Sequence, residues 1–300
     1  MWLKPRRYWP QEPEPHATEI VVDSVGSLLS HLSADAQVMT TPSPSHRLIA
    51  IVHVPSPKLQ EGERTYVDES PVDYALALRQ HAGYCHALRS CGADVITLDV
   101  NREMPDSVFV EDTAIVLDEV AVMMSMGAES RRAEPAGIEP TLRRYREIER
   151  VALPATIDGG DVVRAGRTLY VGASPRTNAA GIDALRGIVR RYGYTVIGVP
   201  VLKCLHLKTA CSTLPDGRML VNREWIDVSP LPSSALVDVP AAEPWAGDVL
   251  VVGERIIASD AFPETATLLE RGGFGVIPVA VSEFAKVEGG VTCLSLVFDR

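Results

Sequence analysis

The sequence predicts an α/β protein closed into a five-bladed propeller, on three observations. Four stretches read as the end of an amphipathic helix, a turn and a strand, and they recur about every fifty residues. Strand pairs joined by turn residues lie between them. The two ends of the repeating region carry strand sequences that complete one further pair, which closes the ring. A fixed period of this length marks a repeat architecture in which each unit buries its apolar face against its neighbours.

Residues 1–46 differ in character from the repeating region. Pro5, Pro10, Pro13 and Pro15 exclude regular structure at the start, residues 19–38 have the pattern of a short strand and helix, and TTPSPSH breaks it. They are expected to form an extension, with residues 47–300 as a single propeller domain. The helix–turn–strand ends are LRSCGADVITLDV (88–100), LRRYREIERVALPA (142–155), VRRYGYTVIGVPV (189–201) and LERGGFGVIPVAV (269–281). The wide gap before the last holds a fifth unit, RMLVNREWIDVSPLPSSALVDVPA, with a shorter helix or none. Hairpins are predicted at AIVLDEVAVMMS (114–125), DVVRAGRTLYVGAS (161–174), STLPDGRMLVNRE (212–224) and DVLVVGERIIASD (248–260), where Pro-Asp-Gly and Ala-Gly suit the corners. The fifth pair joins LIAIVHV (48–54) to CLSLVF (293–298). Each unit then reads strand, strand, helix, strand around a central channel. DGGDVVRAGRTLYVGAS matches WAGDVLVVGERIIAS beyond a shared hydrophobic pattern.

Composition narrows the partners. The chain is 46% hydrophobic over 300 residues, enough for a full-sized core, and its formal charge of -10 with no basic stripe argues against a nucleic acid. A small cationic substrate suits it better. No apolar run is long enough for a membrane span, and the first residues lack the apolar centre of a secretion signal. Five irregularly spaced cysteines fit a reduced compartment, so a cytoplasmic location is expected.

In equivalent units, the segments before each hairpin meet at one end of the ring. These segments bring Asp106, Glu111, Asp112, Asp158, Asp161, His206, Lys208, Glu288 and Cys293 together. A thiol, an imidazole and carboxylates support thiolate attack on an electron-poor carbon, with His206, read here in an apolar strand, moving protons and Asp158 orienting it. Carboxylates also select a cation, and a guanidinium has the electrophilic carbon, the planar edge and the amine to expel. Glu111 and Asp112 are adjacent, so both reach one ligand only where the backbone is irregular. Arg131, Arg132 and Arg176 follow second hairpin strands, a matched placement that suits a carboxylate clamp. Cys85 and Cys91 read as core residues. Cys204, His206 and Cys211 match no common zinc spacing.

The motifs PDSVFVEDTA, ESRRAEP, IDGGDV, RTNAAG, LHLKT and GGVTCLSL, in this order, resemble the dimethylarginine dimethylaminohydrolases of the guanidino-group-modifying, or pentein, superfamily over about residues 47–300. The resemblance implies hydrolysis of asymmetric dimethylarginine or monomethylarginine to citrulline and a methylamine through a covalent thiouronium on cysteine, with no metal or organic cofactor. It implies Cys293 as nucleophile, His206 as proton carrier and Asp158 as its support. Glu111 and Asp112 would hold the guanidinium, Asp106 would be a further polar contact, and Arg131 and Arg176 would take the carboxylate. Leu59 would sit on a mobile lid, and Val287 would offer its carbonyl to the amine. Lys208 stands where relatives that deiminate unmethylated guanidines carry aspartate. The alternatives are a deiminase or amidinotransferase of the same superfamily, a cysteine hydrolase acting on amides, and a non-catalytic propeller that binds a protein or a cation. Oligomeric state stays open, a homodimer included.

Overall fold

The computed structural model describes residues 47–300, and the expected extension at 1–46 lies outside the described residues. Five three-stranded sheets stand around an axis. The closing blade joins the two ends of the described chain: β1 (Leu48–His53) lies between β2 (Asp94–Leu98) and β15 (Leu296–Asp299). Ile49 faces Phe298 in the antiparallel pair, and Ile51 faces Ile96 in the parallel one. The second and third blades are β3 (Ala114–Val116), β4 (Val120–Met123) and β5 (Glu147–Arg150), then β6 (Val162–Ala165), β7 (Thr168–Ala173) and β8 (Thr195–Pro200). The fourth and fifth are β9 (Cys211–Thr213), β10 (Met219–Val221) and β11 (Leu236–Asp238), then β12 (Val249–Val252), β13 (Arg255–Ser259) and β14 (Gly275–Val279).

Within each blade one strand pair is antiparallel and the other parallel. A parallel neighbour needs a crossover, and helices α1 (Tyr74–Ser90), α2 (Glu134–Leu142), α3 (Ala179–Val189) and α5 (Pro263–Arg271) supply four of the five. Two short helices, α4 (Leu207–Ala210) and α6 (Ser282–Ala285), sit in the loops that lead to the axis. Middle strands are strongly apolar because both faces are covered, and β4 is buried at all four of its residues. The fourth blade has only a 3-10 turn, Ser233–Ala235, in its crossover, as its sequence suggested. Trp225, Ile226 and Leu231 fill the place of a helix, with Trp225 and Trp245 in a T-shaped pair 4.7 Å apart. Among the described residues no helix is long and apolar enough to cross a membrane.

One expected element differs. His206 does not lie in a strand: residues 207–210 coil into α4, and His206 precedes it with extended backbone (φ -131, ψ 161). The turn is fixed from outside, because buried Asp161 accepts the Leu207 N–H at 2.9 Å and so caps a donor that a strand would have left to a ladder. Along the axis, a cavity of about 490 Å³ is lined by β3, β6, β9, β12 and β15 and ends inward at Glu111, Lys208 and Thr292.

The closing blade also stores a pH dependence. His53 donates from Nδ1 to the Val54 carbonyl and accepts the Asn101 N–H on Nε2, which fixes it as neutral. Nearby His81 is buried against Cys85, and burial lowers its pKa to about 4. A depressed histidine takes up its proton more readily when unfolded, so stability is full above pH ~6.5 and falls as pH drops towards 4. Denaturant titrations from pH 7 to 4 are expected to show a loss on the order of 3 kcal/mol from this group, and His81→Gln is expected to flatten the slope.

Candidate active site

The loops before the hairpins converge as the repeat requires. Glu111 and Asp112 occupy a 3-10 turn, Val110–Thr113, which is the irregularity that lets adjacent residues face one site. The Glu111 N–H donates to the Cys293 carbonyl at 3.2 Å, which ties this turn to the last loop. Glu111 spends one oxygen on Lys208 Nζ at 2.5 Å and the other on the Thr292 hydroxyl at 2.8 Å. Asp112 accepts from Gly160 N–H at 2.9 Å and from Arg131 Nη1 at 2.7 Å. Burial opposes its charge, but the His206 and Arg131 cations hold the carboxyl below its usual range.

His206 Nε2 lies 3.2 Å from Asp158 Oδ2, and Nδ1 lies 3.7 Å from Asp112 Oδ1. Asp158 is wholly buried and braced by the Gly127 N–H at 2.8 Å. Burial disfavours a charged His206, yet the Asp112, Asp161 and Asp158 carboxylates outweigh it and raise the imidazole to about 9. Gly160 makes the approach possible: a Cβ there would lie 2.6 Å from both Asp112 Oδ1 and His206 Nδ1. Asp161 has another task. It holds Leu207 N–H, Ser174 and Thr177, and burial lifts its carboxyl to about 6.

Cys293 is half-buried at the foot of the same mouth, with the Gly290 N–H 3.4 Å from its sulfur. Burial, then Asp248, Glu111 and Asp112, push its thiol well above the ordinary range. Two further residues of the site, Asp248 and Thr292, escape the sequence reading. Thr292 donates its hydroxyl to Glu111 and its N–H to Asp248 at 3.1 Å, so it bridges two carboxylates beside the thiol. A signal for Asp248 exists in the match of DGGDVV to WAGDVL, which aligns it with Asp161.

On the rim, Arg131 and Arg176 are both buried, at 4% and 8% exposure, but they are not alike. Arg131 is committed to Asp112, to Glu134 at 2.8 Å and to the Phe109 carbonyl at 3.1 Å. Arg176 has no ion pair among the described residues, and its guanidinium stands near Asp106. Asp106 accepts the Glu63 N–H on both oxygens at 3.2 Å, and burial raises its carboxyl. Leu59 is buried with Phe109, Phe284 and Val287, against which Cys293 also packs. The segment after it is pinned by Glu288, whose Oε1 accepts the N–H groups of Thr65, Tyr66 and Val67.

Asp112, Asp158 and His206 offer three ligand atoms within 4.8 Å of one another. Their carboxylates already accept from Arg131, Gly160 and Gly127, so they are satisfied as acceptors without a cation. Cys204 and Cys211 lie in the core of the third and fourth blades, where burial raises both thiols. Cys85 is a core residue as expected, and Cys91 is half-buried at the end of α1.

A half-buried thiol, an imidazole held by carboxylates and an acidic turn on the axis of five three-stranded blades are the features of a guanidino-group-modifying propeller enzyme. Comparison with known proteins narrows the class. The family described as N,N dimethylarginine dimethylhydrolase, eukaryotic, matches residues 64–212. The N(G),N(G)-dimethylarginine dimethylaminohydrolase of Streptomyces coelicolor is 44% identical over 82% of this chain and 95% of its own. That of Pseudomonas aeruginosa is 37% identical over 75% and 90%. A cysteine-to-serine form of the P. aeruginosa enzyme with citrulline bound superposes with a TM-score of 0.80 at 35% identity, over 85% of this chain and all of that one. The N-terminal domain of ArgZ, 20% identical with a TM-score of 0.71 over 83% of this chain and 97% of that one, shares the fold. The chain belongs to the dimethylarginine dimethylaminohydrolase family.

Proposed function

We propose that this protein hydrolyses Nω-methylated arginines, asymmetric dimethylarginine and monomethylarginine, to citrulline and a methylamine. The observation behind the reading is the bond from Glu111 N–H to the Cys293 carbonyl, which sets the carboxylate turn directly beside the thiol. Glu111 and Asp112 align the guanidinium, Arg176 takes the carboxylate with the charge of Arg131 behind it, and Asp106 with the Val287 carbonyl takes the amine. Leu59 and the segment held by Glu288 exclude water. The relatives with this function from S. coelicolor and P. aeruginosa support the substrate class.

The Cys293 thiolate attacks the guanidinium carbon, and the C–N bond to the methylated nitrogen breaks as His206 gives that nitrogen its proton. An imidazole raised to about 9 carries this proton at neutral pH. Neutral His206 then takes a proton from water, whose oxygen attacks the thiouronium carbon, and the C–S bond breaks to release citrulline. The protein works in the cytoplasm in this reading, where its cysteines stay reduced.

Incubation with asymmetric dimethylarginine is expected to yield citrulline and dimethylamine in equal amounts. Ammonia in place of dimethylamine would instead place the enzyme among the deiminases. Arg176→Ala is expected to raise KM roughly 10- to 100-fold with little change in kcat, because a charged hydrogen bond to a remote carboxylate contributes uniform binding. Steady-state kinetics with dimethylarginine and its decarboxylated analogue check this, since the analogue should not distinguish the two proteins.

A further inference from the structure

Lys286, Val287 and Glu288 carry the chain from α6 into the loop of Cys293, through a turn with the bonds of a Schellman motif. Gly289 N–H donates to the Phe284 carbonyl at 2.9 Å, and Glu288 N–H donates to the Ala285 carbonyl at 3.1 Å. In such a motif the position of Glu288 is left-handed, and glycine is its usual occupant because it takes that conformation at no steric cost. Here it is a glutamate, at φ 64, the one non-glycine residue with positive φ among the described residues. A side chain kept in a costly conformation beside a binding site calls for a reason outside the turn.

The segment after Leu59 supplies it. Glu288 Oε1 accepts the N–H groups of Thr65 at 2.7 Å, of Tyr66, and of Val67 at 2.9 Å, while Oε2 is buried with no hydrogen-bond partner among the described residues. Every hydrogen bond of this carboxylate thus goes to the 65–67 segment. Arg64 reaches the turn from the same side, with Nε to the Lys286 carbonyl at 3.1 Å and Nη2 to the Gln60 carbonyl at 2.7 Å. Both neighbours of Val287 are therefore held from across the mouth. The Val287 carbonyl between them is spent on no hydrogen bond among the described residues. We propose that Glu288, with Arg64 beside it, is a positioning residue for the α-amino group of the substrate: its bonds to residues 65–67 keep the left-handed turn that presents the Val287 carbonyl. Without those bonds a residue other than glycine gains by leaving the left-handed region. The peptide between Val287 and Glu288 then turns, and the carbonyl turns with it.

This rests on the proposed part of Val287 in binding the amine, and the test reads binding so that it does not depend on turnover. In a Cys293→Ser background, calorimetry gives dissociation constants for asymmetric dimethylarginine and for its analogue with hydrogen in place of the α-amino group. Glu288→Ala is expected to weaken the first ligand about tenfold more than the second, the factor set by the cost of a left-handed alanine. Glu288→Gly loses the same side-chain bonds but adopts positive φ freely, so its selectivity should stay within about threefold of the parent. Arg64→Ala leaves the residues of the turn intact and is expected to shift the selectivity in the direction of Glu288→Ala, by about threefold. Near-native melting temperatures establish that each variant is folded. Equal weakening of the two ligands in both alanine variants, or a glycine variant as unselective as Glu288→Ala, would overturn the assignment even if methylarginines are turned over normally. The expected pattern in a protein whose Cys293 form releases no dimethylamine would leave the inference standing and remove the proposed function.

Discussion

Serine in place of Cys293 is expected to lower the release of dimethylamine from asymmetric dimethylarginine about 10⁴-fold or more while leaving the ligand bound. The oxygen cannot ionise in a setting that already raises a thiol well above its ordinary range, and no base touches it: His206 is held by Asp158 and Asp112. The hydrogen bond that the sulfur accepts, from Gly290 N–H, is one that a hydroxyl accepts equally well. Folding and binding should therefore survive. Calorimetry with dimethylarginine should return a dissociation constant close to that of the parent, and the absence of a covalent adduct by mass spectrometry should separate loss of chemistry from loss of affinity. Comparable turnover in the serine form would exclude the covalent route. The P. aeruginosa relative in its cysteine-to-serine form holds citrulline, which is consistent with a retained pocket.

Arg131→Met is expected to destabilise the fold by about 3–5 kcal/mol, an effect on the whole molecule and not on binding alone. The guanidinium is buried between Asp112 and Glu134, each also buried, and it reaches the Phe109 carbonyl behind the acidic turn. Removing it leaves Glu134 without a cation and Asp112 with His206 alone, and Asp106 stands close by to repel Glu134. Urea unfolding measures the loss. Two controls sharpen it: Arg131→Lys should recover only part, because a single ammonium does not replace the planar fork that meets Glu134 through Nε and Nη2. Arg176→Ala, with no ion pair to lose among the described residues, should cost far less stability.

The two arginines show where sequence reading stops. ESRRAEP and RTNAAG place Arg131 and Arg176 at matched points of consecutive blades, and that placement alone makes them a pair of equals. Nothing in those strings tells that Glu134 and Asp112 close on one of them and leave the other open. The same holds for His206. VLKCLHLKT has the look of an apolar strand, and its turn into α4 is imposed by Asp161, 46 residues away from Leu207. Glu288, next in the chain to the carbonyl of Val287, gathers three N–H groups of the 65–67 segment, a contact across more than 220 residues.

The frame is legible in the sequence alone: the period of the helix–strand ends, the four hairpins and the closing pair of β1 with β15 arise from local hydrophobic patterning and turn chemistry, which neighbouring residues set. Because the units are equivalent, the repeat also brings Cys293, His206, Asp158 and the Glu111–Asp112 turn to one end of the axis. How the charges are spent is settled only in three dimensions. Which carboxylate meets Arg131, which oxygen meets Lys208, and that Asp248 stands beside the thiol depend on separations of a few ångströms between blades, and Coulomb and hydrogen-bond energies change steeply over that range.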